Sequence, residues 1–103
     1  MSQSRLESLE AMRRRNPQDP RILFALATEY EKVSRWEEMV GLLREYLDRA
    51  DDLGNAWGRL GHALWRLGRS DEARAAYTRG VEAAEHHGHP SMAAEFREMI
   101  EQL

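Results

Sequence analysis

Two short stretches decide the fold of this chain: WGRLGHAL at residues 57–64, followed by GRSDEA at residues 68–73. In the first stretch the apolar residues recur at the three- and four-residue spacing of one helical face. Gly68 is typical of the residue that follows the end of a helix. Ser70 and the two acidic residues after it suit the positive end of a new helix. We therefore predict two helices joined by a tight turn.

The same pattern of residue sizes occurs 34 residues earlier in the chain. The aligned pairs match in size or compensate for each other: Leu26 with Leu60, Ala27 with Gly61, Met39 with Ala73, and Ala50 with Ala84. A fixed internal period is the mark of a repeat protein. The overlay predicts two complete repeats, at residues 20–53 and 54–87, each made of two helices.

Both flanks are predicted to add one helix, at residues 4–15 and 90–103. Local signals place the other helix starts. Asp19 before Pro20 is typical of an N-cap followed by the first helical residue. Ser34 has the capping-box spacing to Glu37, so we expect a second helix from there. The acidic pair at residues 51–52 is predicted to cap the helix that follows it, which is the first helix of the second repeat.

These motifs resemble the tetratricopeptide repeat, whose pattern has Trp, two residues, Leu-Gly, then later aromatic and small residues. Leu64 stands where the family has Tyr, and Gly80 where it has Ala. The resemblance implies an all-α, right-handed helical-repeat solenoid of about six helices, forming one domain over residues 1–103. It also implies a non-catalytic module that binds a protein or peptide in the concave groove lined by the first helix of each pair.

Composition narrows the classes of protein that fit. The 103 residues are 42% hydrophobic and 32% charged, contain no cysteine and carry a net charge of -3. This excludes disulfide frameworks and cysteine zinc sites, and it argues against nucleic-acid binding. No apolar run is long enough for a membrane span or a signal peptide, so we expect a cytoplasmic protein. The use of Arg almost to the exclusion of Lys hints at a bacterial source.

The resemblance assigns nine residues to the peptide-binding groove: Arg21, Phe24, Thr28, Asn55, Arg59, His62, Trp65, Arg66 and Arg97. Arginine forks suit carboxylates, so the expected ligand is an acidic or carboxylate-bearing segment. The alternative interpretation is a set of ordinary solvated arginines. Trp36 is expected to pack inside the fold. For Trp65 two interpretations remain, packing inside the fold and contact with a ligand.

Other candidate sites are weaker. Three imidazoles at His86, His87 and His89 are the residue type that binds zinc, but a helix end also favours histidine. We expect no metal, no cofactor and no catalytic site, because no nucleophile lies beside a base and no phosphate loop is present. A second functional hypothesis is self-assembly into a homodimer through the apolar residues of the end helices, Leu6, Leu9, Met12, Phe96 and Leu103.

Overall fold

A computed structural model describes the backbone of residues 2–103 and the side chains of residues 5–103. Six α-helices follow one another along the chain: α1 Ser2–Arg15, α2 Pro20–Lys32, α3 Trp36–Arg49, α4 Asn55–Arg66, α5 Ser70–His86 and α6 Pro90–Glu101. The predicted all-α class and the number of helices are confirmed. The helices form two compact units, with the boundary between Ala50 and Asp51.

Carboxylates mark the beginnings of α2 and α4. The Asp19 carboxylate accepts the backbone N–H of Arg21 at 3.0 Å, and Pro20 is the first helical residue. The Asp52 carboxylate accepts the backbone N–H groups of Gly54 and Ala56 at 2.8 and 2.9 Å. Both contacts satisfy N–H groups that have no partner inside the helix. The predicted N-cap at Asp19 is confirmed. At α4 the N-cap residue is Gly54, and Asp52 of the predicted acidic pair provides the carboxylate that accepts from the first amides.

The predicted capping box at Ser34 is wrong. α3 begins at Trp36, and its N-cap is Arg35, which makes no side-chain capping bond. Ser34 instead has a φ of 58°, in the left-handed region. The next amide, of Arg35, donates to the carbonyl of Tyr30 at 2.9 Å. Ser34 therefore ends α2 rather than starting α3. Ser4 also has the capping-box spacing, to Glu7, and predicts a helix start there, but its side chain lies outside those that the structure describes.

Glycine occupies the equivalent place in the other two turns. Gly68 and Gly88 have φ values of 77° and 76°. The amides that follow them donate back to Leu64 and Ala84, at 2.9 and 2.7 Å. A left-handed conformation costs residues with a side chain about 1–2 kcal/mol, and glycine avoids this cost.

Ser34→Gly is therefore expected to raise the free energy of unfolding by about 1 kcal/mol, because it removes a strained left-handed serine. The matched variant is Gly68→Ser, which introduces the same strain one repeat later and is expected to lower stability by a similar amount. Urea denaturation followed by circular dichroism measures both. Two changes of the same sign would show that the conformation of this turn does not control stability.

The first unit is built on the packing of α2 against α3. Its most deeply buried large side chains are Leu23, Leu26, Met39 and Leu43. They recur at helical spacing, so each helix turns one apolar stripe toward the other. α1 packs against α2 and contributes Leu9 to the buried set.

The second unit depends on close approach at glycines. A Cβ on Gly58 would lie 2.5 Å from the ring of Phe96, and one on Gly80 would lie 2.8 Å from the same ring. The two glycines therefore leave the space in which the Phe96 ring of α6 packs. This explains why Gly80 stands where the repeat pattern has Ala. Phe96 also contacts Tyr77, with ring centroids 5.7 Å apart.

A side chain from α5 forms hydrogen bonds with the C-terminal end of α6. The Arg74 guanidinium donates to the carbonyls of Ile100 and Leu103, at 3.3 and 3.5 Å. A cation at this place also suits the negative end of the helix dipole.

Within residues 2–103, none of the helices has the length and apolar character that crossing a bilayer requires.

Candidate functional site

Arg21, the first predicted groove residue, is already paired within its own unit. Its Nε and Nη2 donate to the two Asp19 oxygens at 3.2 and 3.0 Å, while the rest of its side chain stays exposed. The bonds from Arg21 lower the pKa of the Asp19 carboxyl below its usual value. Because Asp19 offsets its charge, Arg21 attracts an acidic ligand less strongly than the sequence pattern suggested.

Phe24 lies beside a shallow apolar concavity of the first unit. The pocket has a volume of about 370 Å³ and is lined by Pro20, Arg21, Phe24, Tyr46 and Ala50. Phe24 and Tyr46 form its aromatic wall, with ring centroids 5.1 Å apart and planes inclined at 56°. Tyr46 was absent from the predicted site, although it lies in the apolar stripe of α3. Its proximity to Phe24 depends on the packing of α3 against α2.

Thr28, one turn beyond Phe24, turns its hydroxyl toward its own helix. The Thr28 hydroxyl donates to the carbonyl of Phe24 at 3.1 Å. This back-bond is common for threonine inside helices. The donor proton of Thr28 is therefore committed to α2, and a ligand that reaches this residue meets chiefly its methyl group and an acceptor oxygen.

The five predicted residues of the second repeat all lie on α4. Asn55, Arg59, His62 and Arg66 follow one another at intervals of three or four residues, which places them on one side of a helix. Asn55 and Arg66 are exposed, and Arg59 and His62 are half-buried. The structure therefore brings these four side chains of the second unit to one face of one helix.

Trp65 provides the apolar part of this face. It is 44% exposed and is among the large hydrophobic side chains that the fold leaves in contact with solvent. Its ring lies 5.7 Å from that of His62, with the planes inclined at 39°. By contrast, Trp57 and Trp36 are half-buried, and the guanidinium of Arg79 covers the ring of Trp57 at 4.6 Å. Trp65 is thus the tryptophan best placed to contact a ligand.

Arg97, the ninth predicted residue, is paired like Arg21. Its guanidinium donates to the carboxylate of Glu85 on α5, and both side chains are about half exposed. The contact joins α6 to α5 within the second unit. Arg21 and Arg97 therefore each have a carboxylate partner, which reduces the positive charge that they offer to a ligand.

The histidine segment makes two contacts, one between two imidazole rings and one between an imidazole and a carboxylate. The rings of His86 and His87 meet edge to face, with centroids 5.0 Å apart, and Nε2 of His87 lies 3.5 Å from the Asp51 carboxylate. His89 is the N-cap of α6. In the part of the chain that the structure describes, no three His, Cys, Asp or Glu side chains are grouped as metal ligands.

The apolar residues proposed for self-assembly have different environments. Leu9 is buried within the first unit, and Phe96 is half-buried against Tyr77. Leu6 and Leu103 are half-buried, and Met12 is exposed. Along α6 the outward positions are mainly charged, including Glu95, Glu98 and Glu101. Of these five residues, Met12 is therefore the one that the structure leaves exposed.

Comparison with known proteins identifies one of the repeats directly. A family model described as Tetratricopeptide repeat matches residues 54–87, which comprise α4, α5 and the turns beside them. A search of curated proteins finds no match. The matched segment holds five of the nine predicted groove residues.

Solved structures share the fold over most of the chain. A solution structure of a tetratricopeptide repeat domain protein from Salinibacter ruber is 28% identical, with 84% of this chain and 87% of that chain covered and a TM-score of 0.73. A protein from Bordetella parapertussis is 27% identical, with coverages of 94% and 84% and a TM-score of 0.79. MamA of MSR-1 is 22% identical, covers 98% of this chain and 66% of its own, and has a TM-score of 0.73, which shows likeness of fold alone.

Proposed function

We propose that this chain is a non-catalytic interaction module that captures a peptide or protein segment, because residues 54–87 match the tetratricopeptide-repeat model and the fold is similar to that of a tetratricopeptide repeat domain protein. Proteins of this family generally mediate contacts between proteins. The ligand-binding residues that we propose are the α4 face of the second unit and, in the first unit, the surface around Phe24. We place this protein in the bacterial cytoplasm, where it would act as a scaffold.

The observation that carries the proposal is the exposure of Trp65 beside His62 on a helix that also presents Arg59 and Arg66. Tryptophan and arginine are the residue types that most often dominate the binding energy of an interface. An indole ring supplies a large apolar contact and loses little conformational freedom on binding. A ligand on this face would place an apolar side chain against Trp65.

The arginines indicate the polar part of the ligand. Guanidinium groups bind carboxylates with two parallel hydrogen bonds, which gives both energy and orientation. Arg59 and Arg66 lie about two turns apart on α4, so a ligand with carboxylates about 10 Å apart would reach both. The ligand that fits this face is therefore an acidic segment with at least one large apolar residue.

Selection from a random decapeptide library displayed on phage tests this proposal. The wild-type chain is expected to enrich sequences that combine Asp or Glu with an aromatic or aliphatic residue. A selected peptide is expected to bind Trp65→Ala at least about tenfold more weakly, and the loss of acidic preference is expected in Arg59→Ala/Arg66→Ala. Fluorescence anisotropy with the labelled peptide measures these affinities.

The matched control is Arg14→Ala/Arg15→Ala, which removes the same charge from exposed positions at the end of α1. It should retain the wild-type preference and affinity. If this control loses binding as much as the α4 variant, net charge rather than the α4 face controls capture. Selected peptides without acidic residues would contradict the proposed ligand chemistry.

A further inference from the structure

The concavity of the first unit that is lined by Pro20, Arg21, Phe24, Tyr46 and Ala50, here called the Phe24 pocket, has the size of a subsite for one side chain. Its volume of about 370 Å³ is near the lower end of the range of about 300–1,000 Å³ that is typical of ligand pockets. Its lining is mainly apolar, and the four uncharged residues are half-buried, so part of their surface stays accessible. The pocket therefore suits one apolar side chain of a larger ligand.

The two rings of the Phe24 pocket favour an aromatic side chain over an aliphatic one. The planes of Phe24 and Tyr46 are inclined at 56°, with ring centroids 5.1 Å apart. Aromatic rings prefer such tilted or offset contacts, and these contacts add to the free energy gained from burial alone. A third ring that enters the concavity can contact both walls in this way, whereas an aliphatic side chain gains only from burial.

Arg21 is the one charged residue among the five that line the pocket. Asp19 engages one edge of its guanidinium, through Nε and one N–H of Nη2. A guanidinium has five N–H donors, so Nη1 and the second N–H of Nη2 form another edge with two donors. The Arg21 side chain is 90% exposed and that of Asp19 only 22%, so the outer surface of the pair presents the cation. The charge at the pocket therefore complements a ligand carboxylate.

The bond with Asp19 also fixes the position of this outer edge. Asp19 is the N-cap of α2, and its carboxylate accepts the backbone N–H of Arg21 at 3.0 Å. The guanidinium is thereby held at the first turn of α2, and a ligand that binds it loses less conformational entropy than with an unrestrained arginine. Because Asp19 offsets part of the charge, the gain in affinity from a carboxylate is modest.

We propose that the Phe24 pocket is an anchor subsite for an aromatic side chain of a partner segment, with an adjacent Asp or Glu of that segment bound to the outer edge of Arg21. The inference rests on the proposed function of the chain as an interaction module, and it names the pair of residue types that the first unit recognises. The subsite lies wholly within residues 20–50 and does not involve the α4 face.

NMR titration of the full-length chain with short peptides tests the subsite directly. The probe is N-acetyl-Asp-Phe-Asp-amide, and its isosteric partner N-acetyl-Asn-Phe-Asn-amide lacks the charges. The acidic probe is expected to shift the backbone amide signals of Phe24, Tyr46 and Ala50. It is expected to bind about three- to fivefold more tightly than the Asn peptide, the gain typical of an exposed ion pair. The peptide N-acetyl-Asp-Ala-Asp-amide, without the ring, is expected to bind about tenfold more weakly than the probe.

Arg21→Gln should abolish the preference for the acidic peptide and leave the binding of the Asn peptide unchanged. Arg49→Gln is the matched control, because Arg49 is an exposed arginine of the same unit that lies outside the pocket lining. It should keep the preference, and an equal loss in both variants would assign the preference to net charge and overturn the role of Arg21. Ala50→Leu, at the C-cap of α3, is expected to weaken both peptides severalfold, because its larger side chain occupies the pocket. Unchanged binding in Ala50→Leu would overturn the location.

The variant Arg59→Ala/Arg66→Ala separates this subsite from the α4 face. Both residues lie in the second unit, so the variant is expected to bind the acidic probe as the wild type does. Shifts confined to α4, or no shift with any of the three peptides at millimolar concentration, would overturn the subsite and leave the proposal for the α4 face standing. Shifts around Phe24 that persist in the double variant would support the subsite even if the library selection showed no role for the α4 arginines.

Discussion

Leu64→Ala is expected to lower the free energy of unfolding by about 2–5 kcal/mol, the range observed when a large buried aliphatic side chain is truncated. Leu64 lies on α4 and is 1% exposed. Its removal costs the transfer energy of the lost methyl groups and leaves a cavity that the surrounding helices fill only in part. Urea denaturation followed by circular dichroism gives the change directly.

Leu53→Ala is the matched control, because the residue type is the same and Leu53 is 44% exposed, just before α4. Its truncation is expected to cost less than 1 kcal/mol, since half of its surface is in water in the folded state. If the two variants lost equal stability, Leu64 would not occupy the core of the second unit. A domain of this size has a free energy of unfolding of only about 5–15 kcal/mol, so the loss in Leu64→Ala is a large fraction of the total stability.

The helices could be predicted because strong local signals agree with the apolar spacing. Proline at residues 20 and 90 and serine at residue 70 coincide with the first residues of α2, α6 and α5. Each of these signals acts within one helical turn, so it needs no knowledge of tertiary contacts. The repeat period then identified which apolar faces pack together.

The start of α3 was mispredicted because two local motifs compete at Ser34. A serine three residues before a glutamate favours an N-cap, but the same residue aligns with Gly68 one repeat later. The structure adopts the helix-ending conformation at both places. The repeat alignment therefore contained the correct signal, and it outweighs a capping box that contributes only about 1 kcal/mol.

The sequence predicts the positive sign of the charges in the candidate site, but it does not predict which carboxylates pair with them. The spacing along α4 predicts that four polar residues share one face, because helical geometry fixes their directions. The partners of Arg21 and Arg97 depend on where Asp19 and Glu85 lie in the folded units. Long flexible side chains choose such partners from their three-dimensional neighbours, and no local pattern encodes the choice. The buried Glu29, whose partners include Arg5 from another helix, escaped notice for the same reason.

The second large effect is expected at Gly61, where α4 and α5 approach closely. A Cβ at this position would lie 2.8 Å from Cε2 of Tyr77 and 2.9 Å from two other atoms of its ring. Tyr77 is buried, and this burial raises the pKa of its phenol above the usual value. The ring therefore has little room to move away. Gly61→Leu is expected to lower the free energy of unfolding by about 2–3 kcal/mol, at the upper end of the range for overpacking.

Gly41→Ala separates this steric cost from the intrinsic effect of replacing glycine in a helix. Gly41 lies inside α3, and a Cβ there would meet no atom within 4 Å. Alanine at Gly41 is expected to raise stability by about 0.5–1 kcal/mol, because it restricts the unfolded chain and favours the helix. Opposite signs in thermal melts at Gly41 and Gly61 are therefore expected. Unchanged stability in Gly61→Leu would contradict the contact between Gly61 and Tyr77, and with it the alignment that assigns the Leu60-Gly61 pair to the tetratricopeptide pattern.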